Sequence, residues 1–190
     1  AFNKGDLVGA VAERNRAAAI TMVLYPNDST PAGQELRLRQ EFFFTSASLQ
    51  DLVHRHRRQF GSLDNLAEKA AIQLNDTHPS LAVAELMRLL IDEHEFNWEK
   101  AWEITNATIS YTNHTLLPEA LETWPVALVE RLLPRHMQII FGINARFLDA
   151  VRRRSPDVDL AGLSLIDEHH GRSVCMANLD FVGYHSVNGV

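Results

Sequence analysis

Two short polar runs hold the residues best suited to chemistry. Asn75-Asp76-Thr77-His78 follows an apolar stretch at 70–74, and Thr112-Asn113-His114-Thr115 follows a second one at 109–111. Each has the pattern of a short buried strand that ends in Asn, Thr and His, with Asp in the first, and then gives way to helix. In open parallel sheets, ligands bind beyond the carboxyl ends of the strands, and helix N-termini add unpaired N–H groups there. Asn, Asp, Thr and His carry donors and acceptors suited to hydroxyl-rich ligands such as sugars. The same residue types are also ordinary caps and turn formers, so the pattern alone leaves a purely structural role open. The nine histidines do not assemble a metal motif. His54 and His56 point to different helix faces, His169 and His170 are adjacent, and Glu93-His94-Glu95 lacks the H-E-x-x-H spacing. No G-x-S-x-G, P-loop or G-x-G-x-x-G run is present. Glu119 and Glu122 have helix-face spacing, which by itself says nothing of glycosidase chemistry.

The elements that must hold these runs follow from periodicity. A helix is expected from 6 to about 24, capped by Asp6, with Leu7, Val8, Val11, Asn15, Ala18, Ala19 and Met22 on one stripe. Residues 25–33 are a loop by turn chemistry. A long helix at 34–59 buries Leu36, Phe43, Leu49, Leu52 and Val53, and a short helical segment covers 63–69. Helices are expected to open at Pro79, with Leu81, Met87 and Leu90 facing inward, and to cover 97–108, 117–122, 125–132 and 134–153. Residues 163–166 and 173–176 form a hairpin, and 178–190 is a short helix leading into a strand. Short strands each followed by helix indicate a helix-dominated α/β fold. With 190 residues, 46% of them hydrophobic, the chain is long enough for one domain with a real core.

The net charge is −6, and the basic runs Arg57-Arg58 and Arg152-Arg153-Arg154 are not interleaved with aromatics, so no nucleic-acid partner is expected. No apolar run of about 18 residues exists to span a membrane. The single cysteine, Cys175, suits a reducing, cytoplasmic setting. The chain starts at Ala1 without Met and stops at Val190 without a stop pattern, so both ends are expected to be cuts in a longer protein.

Several stretches together resemble the glycogen, starch and maltodextrin (α-glucan) phosphorylase family. They are Ile72-Gln73-Leu74-Asn75-Asp76-Thr77-His78-Pro79-Ser80, the run from Tyr111 to Glu122 (YTNHTLLPEALE), and Leu133-Pro134-Arg135-His136-Met137-Gln138-Ile139-Ile140. Ile143-Asn144-Ala145-Arg146-Phe147 follows, with Val23-Leu24-Tyr25-Pro26-Asn27-Asp28 and Glu35-Leu36-Arg37-Leu38-Arg39-Gln40-Glu41 upstream and His185-Ser186-Val187-Asn188-Gly189-Val190 at the end. They cover nearly the whole chain in the family's order. The resemblance implies a two-lobed, GT-B-like enzyme that cuts α-1,4-glucan with inorganic phosphate and uses pyridoxal phosphate. Residues 1–190 would be a single partial domain, the later part of the first lobe.

The resemblance also implies roles. His114 matches the family histidine at the glucosyl residue being cleaved, and Asp76, Thr77 and His78 match a group lining the adjoining pocket. Asn27, Asp28 and Ser29 match a gate loop, with Arg37 at its base; Asp28 would move aside so that a phosphate dianion enters without like-charge repulsion. Val190 matches an apolar contact to the sugar. The first helix resembles the one that pairs across the family's homodimer. The chain departs from the family pattern at Ser29, where asparagine is frequent, at Tyr184, where a smaller residue is common, and at Asp180, in a usually apolar run. No segment matches the cofactor lysine, since Lys4, Lys69 and Lys100 all lie in other contexts, and the glycine-rich phosphate loops are missing. The piece alone is therefore expected to be inactive; the alternative is a noncatalytic module for oligosaccharide binding or dimerisation.

Overall fold

The computed structural model describes residues 5–24, 26–115, 121–169 and 171–189, with Leu7 by its backbone only. The expected helix at 117–122 falls largely on residues 116–120, outside that set. The described residues form a helix-dominated α/β structure in two compact units, 1–44 and 45–190.

The first unit holds α1 (Leu7–Met22) and the start of α2 (Pro31–Phe60). Asp6 caps α1 by accepting a hydrogen bond from Gly9 N at 2.8 Å, satisfying one of the donors a helix start leaves unpaired. At the other end, the buried Gln40 amide of α2 donates to the carbonyls of Ile20 and Val23, at 2.9 and 2.5 Å. On the α1 stripe Val8, Val11 and Met22 are 83, 52 and 72% exposed, while Ala19 is half-buried. Phe43 of α2, expected in the core, is 44% exposed, stacked edge-on against the equally open Phe44.

In the second unit α2 ends at Phe60, and α3 (Leu66–Lys69) leads into β1 (Ile72–Asn75). Next come α4 (Leu81–Arg88), extended by a wide π-type turn at Leu89–Glu93, then α5 (Trp98–Thr108) running directly into β2 (Ile109–Asn113). The chain continues through β3 (Thr123–Pro125), α6 (Val126–Leu132), α7 (Pro134–Arg154), β4 (Ile166–Asp167), β5 (Ser173–Cys175), α8 (Met176–Gly183) and β6 (Val187–Gly189). Strands β1, β2 and β6 form a parallel sheet in that order, Leu74 opposite Tyr111 and Tyr111 opposite Val187. Strands β3, β5 and β4 form a small antiparallel one.

The core sits around α4, whose residues Leu81 to Met87 are all buried and which packs on α5, α7 and α8. A helix covered on all sides has to resolve any charge it carries internally. Glu85, fully buried, does so with four hydrogen bonds. Ser46 Oγ donates at 2.7 Å, His136 Nε2 at 2.6 Å, and Arg88 through Nε and Nη2 at 2.8 and 3.0 Å. Burial alone would raise its pKa, but the bonds from His136, Arg88 and Ser46 outweigh burial and hold it at about 2.

Two expectations about elements need correction. Helix α4 begins at Leu81, not Pro79, because 76–80 form a tight turn in which Ser80 N donates to Thr77 O at 3.1 Å. Residues 123–125, placed in or beside helices, pair with β5 as an edge strand. Its Pro125 occupies the kind of position where a missing N–H is tolerated.

Candidate sugar site at the parallel strand ends

Parallel register decides what the sheet presents at its carboxyl edge. Asn75 lies opposite Thr112, and Asn113 opposite Gly189, so the two polar runs emerge side by side. The ladder reaches one residue past β1, where Asp76 N donates to Thr112 O at 3.0 Å. Asp76 then turns with φ +67°, a left-handed conformation that Asp adopts more readily than most residues. Its Oδ1 accepts from Thr77 N at 2.9 Å. Thr77 and Ser80 are buried, with Ser80 Oγ 2.6 Å from Thr77 O, whereas His78 is exposed.

From β2, the exposed His114 ring is hydrogen-bonded through Nε2 to Asn75 Oδ1, which ties the ends of the two strands together. Asn113 Oδ1 accepts from Thr115 N at 2.9 Å. Beneath them, polar side chains cross the sheet: Gln73 Nε2 donates to Thr112 Oγ1 at 2.7 Å, and Thr112 Oγ1 to Asn188 Oδ1 at 3.0 Å. On the opposite face Tyr111 is fully buried, and its hydroxyl has no hydrogen-bond partner among the described residues. Burial, together with the charges of Asp180 and Asp76, pushes it up to about 12.

The structure thus brings Asp76, Thr77, His78 and His114 to one edge. Val190 lies outside the described residues. Asn27, Asp28, Ser29 and Arg37 belong to the first unit. There Asn27 Oδ1 accepts from Ser29 N at 2.9 Å. The Arg37 guanidinium lies 3.9 Å from Asp28 and 3.2 Å from Glu41. Gly33 packs so closely on this loop that a Cβ would fall 1.8 Å from Asn27 O.

Sequence reasoning passed over three features. Asn75 stands in the polar run, but its pairing with His114 depends on strand order. Asp180 and Tyr184, noted only as departures, bond each other at 2.6 Å, and Asp180 reaches Ser80 at 2.5 Å. Trp98 and Trp102, legible as helix residues, line a separate groove of about 400 Å³ with Arg146 and Phe147. The Arg146 guanidinium sits 4.3 Å above the Trp98 ring.

Among the described residues, no group of three or more His, Cys, Asp or Glu is placed to hold a metal ion, and no helix is long and apolar enough to cross a membrane. Lys69 is exposed and Lys100 is engaged with Glu103 at 3.2 Å, so neither fits a pyridoxal pocket.

The chain is 56% identical to the glycogen phosphorylase of Synechocystis sp., and 53% identical to that of Haemophilus influenzae. It is also 53% identical to the muscle form of glycogen phosphorylase from Ovis aries. Each alignment covers the whole of this chain but only 22 to 24% of the relative, so the chain spans about a quarter of their length or less. The family model for carbohydrate phosphorylases matches residues 1–190, and the chain belongs to that family.

Proposed function

We propose that this chain is part of the first lobe of an α-1,4-glucan phosphorylase and supplies one wall of its sugar site. The observation that carries the reading is the parallel register that puts Asp76 and His114 on neighbouring strand ends, joined through Asn75. In the parent reaction a phosphate oxygen bonds to C1 of the terminal glucosyl residue, the C1–O bond to the chain breaks, and the departing 4-oxygen takes a proton. Glucose 1-phosphate and a shortened glucan result.

Within that reaction, the residues present here bind and orient. The His114 imidazole, steered by Asn75, faces the sugar hydroxyls at the cleavage point. Asp76 offers a carboxylate acceptor beside it, and Thr77 and His78 extend the wall. Asn27, Asp28 and Ser29 act as the gate, with Arg37 at its base, 3.9 Å from Asp28. Pyridoxal phosphate and the groups that hold inorganic phosphate are assigned to other parts of the parent, because neither the family's cofactor lysine nor its glycine-rich phosphate loops has a match in this chain. The uncovered apolar residues of α1 support its use as the homodimer helix. The parent is assigned to the cytoplasm.

Titrating the 190-residue chain with maltoheptaose while following amide resonances tests the site. Shifts clustered at 75–78 and 113–115, lost in His114→Ala, are expected. Shifts elsewhere only, or none, would overturn the assignment. Turnover is expected to be absent: incubation with maltoheptaose, phosphate and pyridoxal phosphate should yield no glucose 1-phosphate above a blank.

A further inference from the structure

We infer that Asp180, as a buried neutral carboxylic acid, is a positioning residue that holds the Asp76–Ser80 turn through Ser80. The inference rests on the reading of that turn as part of the sugar site.

Three short contacts meet in a space closed to water. Tyr184 Oη lies 2.6 Å from Asp180 Oδ1, Ser80 Oγ 2.5 Å from Asp180 Oδ2, and Ser80 Oγ 2.6 Å from Thr77 O. Asp180 and Ser80 have no exposed surface, and Tyr184 has 6%. Each contact requires one proton. The Thr77 carbonyl supplies none, and the two hydroxyls supply one each. An ionised Asp180 leaves the third contact as two facing lone pairs, whereas a neutral one donates from Oδ2 to Ser80 Oγ and frees the Ser80 proton for Thr77 O. Every contact is then a hydrogen bond.

The ionisable groups around Asp180 favour the same state. Asp76 faces it from the turn after β1, Glu122 from the segment before β3, Tyr111 from β2 and Tyr184 from the end of its own helix, and all of them are acids. The charged residues of α4, Glu85 and Arg88, are engaged with each other. Burial first, then the charges of Asp76 and Glu122, raises Asp180 well above the ordinary carboxyl range against the bonds from Ser80 and Tyr184.

Carbon-detected NMR on the 190-residue chain decides the matter, with the Asp180 Cγ signal assigned by its loss in Asp180→Asn. At pH 7 the carboxyl should resonate as the neutral acid, and the Thr77 and Ser80 amides should move only when alkali ionises it. Asparagine mimics the neutral acid, accepting from Tyr184 and donating to Ser80. Asp180→Asn should therefore keep the turn's neutral-pH amide positions and abolish their alkaline change. In the wild type, maltoheptaose should bind about tenfold more weakly once the acid ionises, and in Asp180→Asn the loss should disappear. An ionised carboxyl at pH 7, or amides that ignore its titration, overturns the inference; if Asp180→Asn does not fold, the Cγ signal is assigned through its correlations to the Asp180 Cβ and backbone in the wild type, and that titration settles the matter. Absence of maltoheptaose binding at every pH overturns the sugar-site reading instead, and the carboxyl titration still decides the role in the turn.

Discussion

Replacing Glu85 by glutamine probes the buried charge cluster on α4. The carboxyl titrates near 2 rather than at its ordinary 4.5, a gap worth ~3 kcal/mol of stability at pH 7. The sign follows from proton uptake. As pH falls below about 4.5 the unfolded chain takes the proton first, so stability is complete above that value and drains away down through about 2. At pH 3 about 2 kcal/mol of the contribution has gone. Glu85→Gln should thus cost about 3 kcal/mol at pH 7, the lower end for breaking a buried pair. Arg88 keeps Glu93 at 2.9 Å, which limits the loss. All three tryptophans (98, 102 and 124) lie in the second unit, so fluorescence-detected urea unfolding reports on it directly. The variant midpoint should fall by about 1–2 M at pH 7, and the gap to wild type should shrink by more than half at pH 3. A gap of equal size at both pH values would falsify the linkage argument.

Other substitutions test the packing. Gly183→Ala places a Cβ 2.7 Å from Val83 Cγ2, inside the buried contact of α8 with α4. It should cost about 1–3 kcal/mol by thermal unfolding, partly recovered by adding Val83→Ala. Asp76→Val should lose about 1–3 kcal/mol to its left-handed backbone, whereas Asp76→Gly should not pay that strain; equal melting temperatures would refute the strain. Gly33→Ala must displace the Asn27 carbonyl, so hydrogen exchange at 27–30 should quicken, and unchanged protection would show that the close approach is absent.

What could be read in advance was local. Asp6 as a cap, α7 from its proline to its arginines, and the two polar runs each depend on residues a few positions apart. What escaped depended on distant partners. Strand β3 exists because β5, some fifty positions on, pairs with it, while Trp124 and Pro125 taken alone point to a helix start. Phe43 has the right type and spacing for burial, yet it stays 44% exposed with the Phe44 ring at its side. The inward role of His136 was invisible for the same reason, since its partner Glu85 sits on another helix. The family motifs located the strand ends, but only strand order showed that they are neighbours.

The parallel sheet stops at β1 on one side and β6 on the other, with no further strand among the described residues. Among the described residues no strand pairs with either rim, and such an edge is a template for an extended peptide. Produced by itself at high concentration, this segment is expected to associate edge to edge, and β-rich association that grows with concentration is the sign to look for.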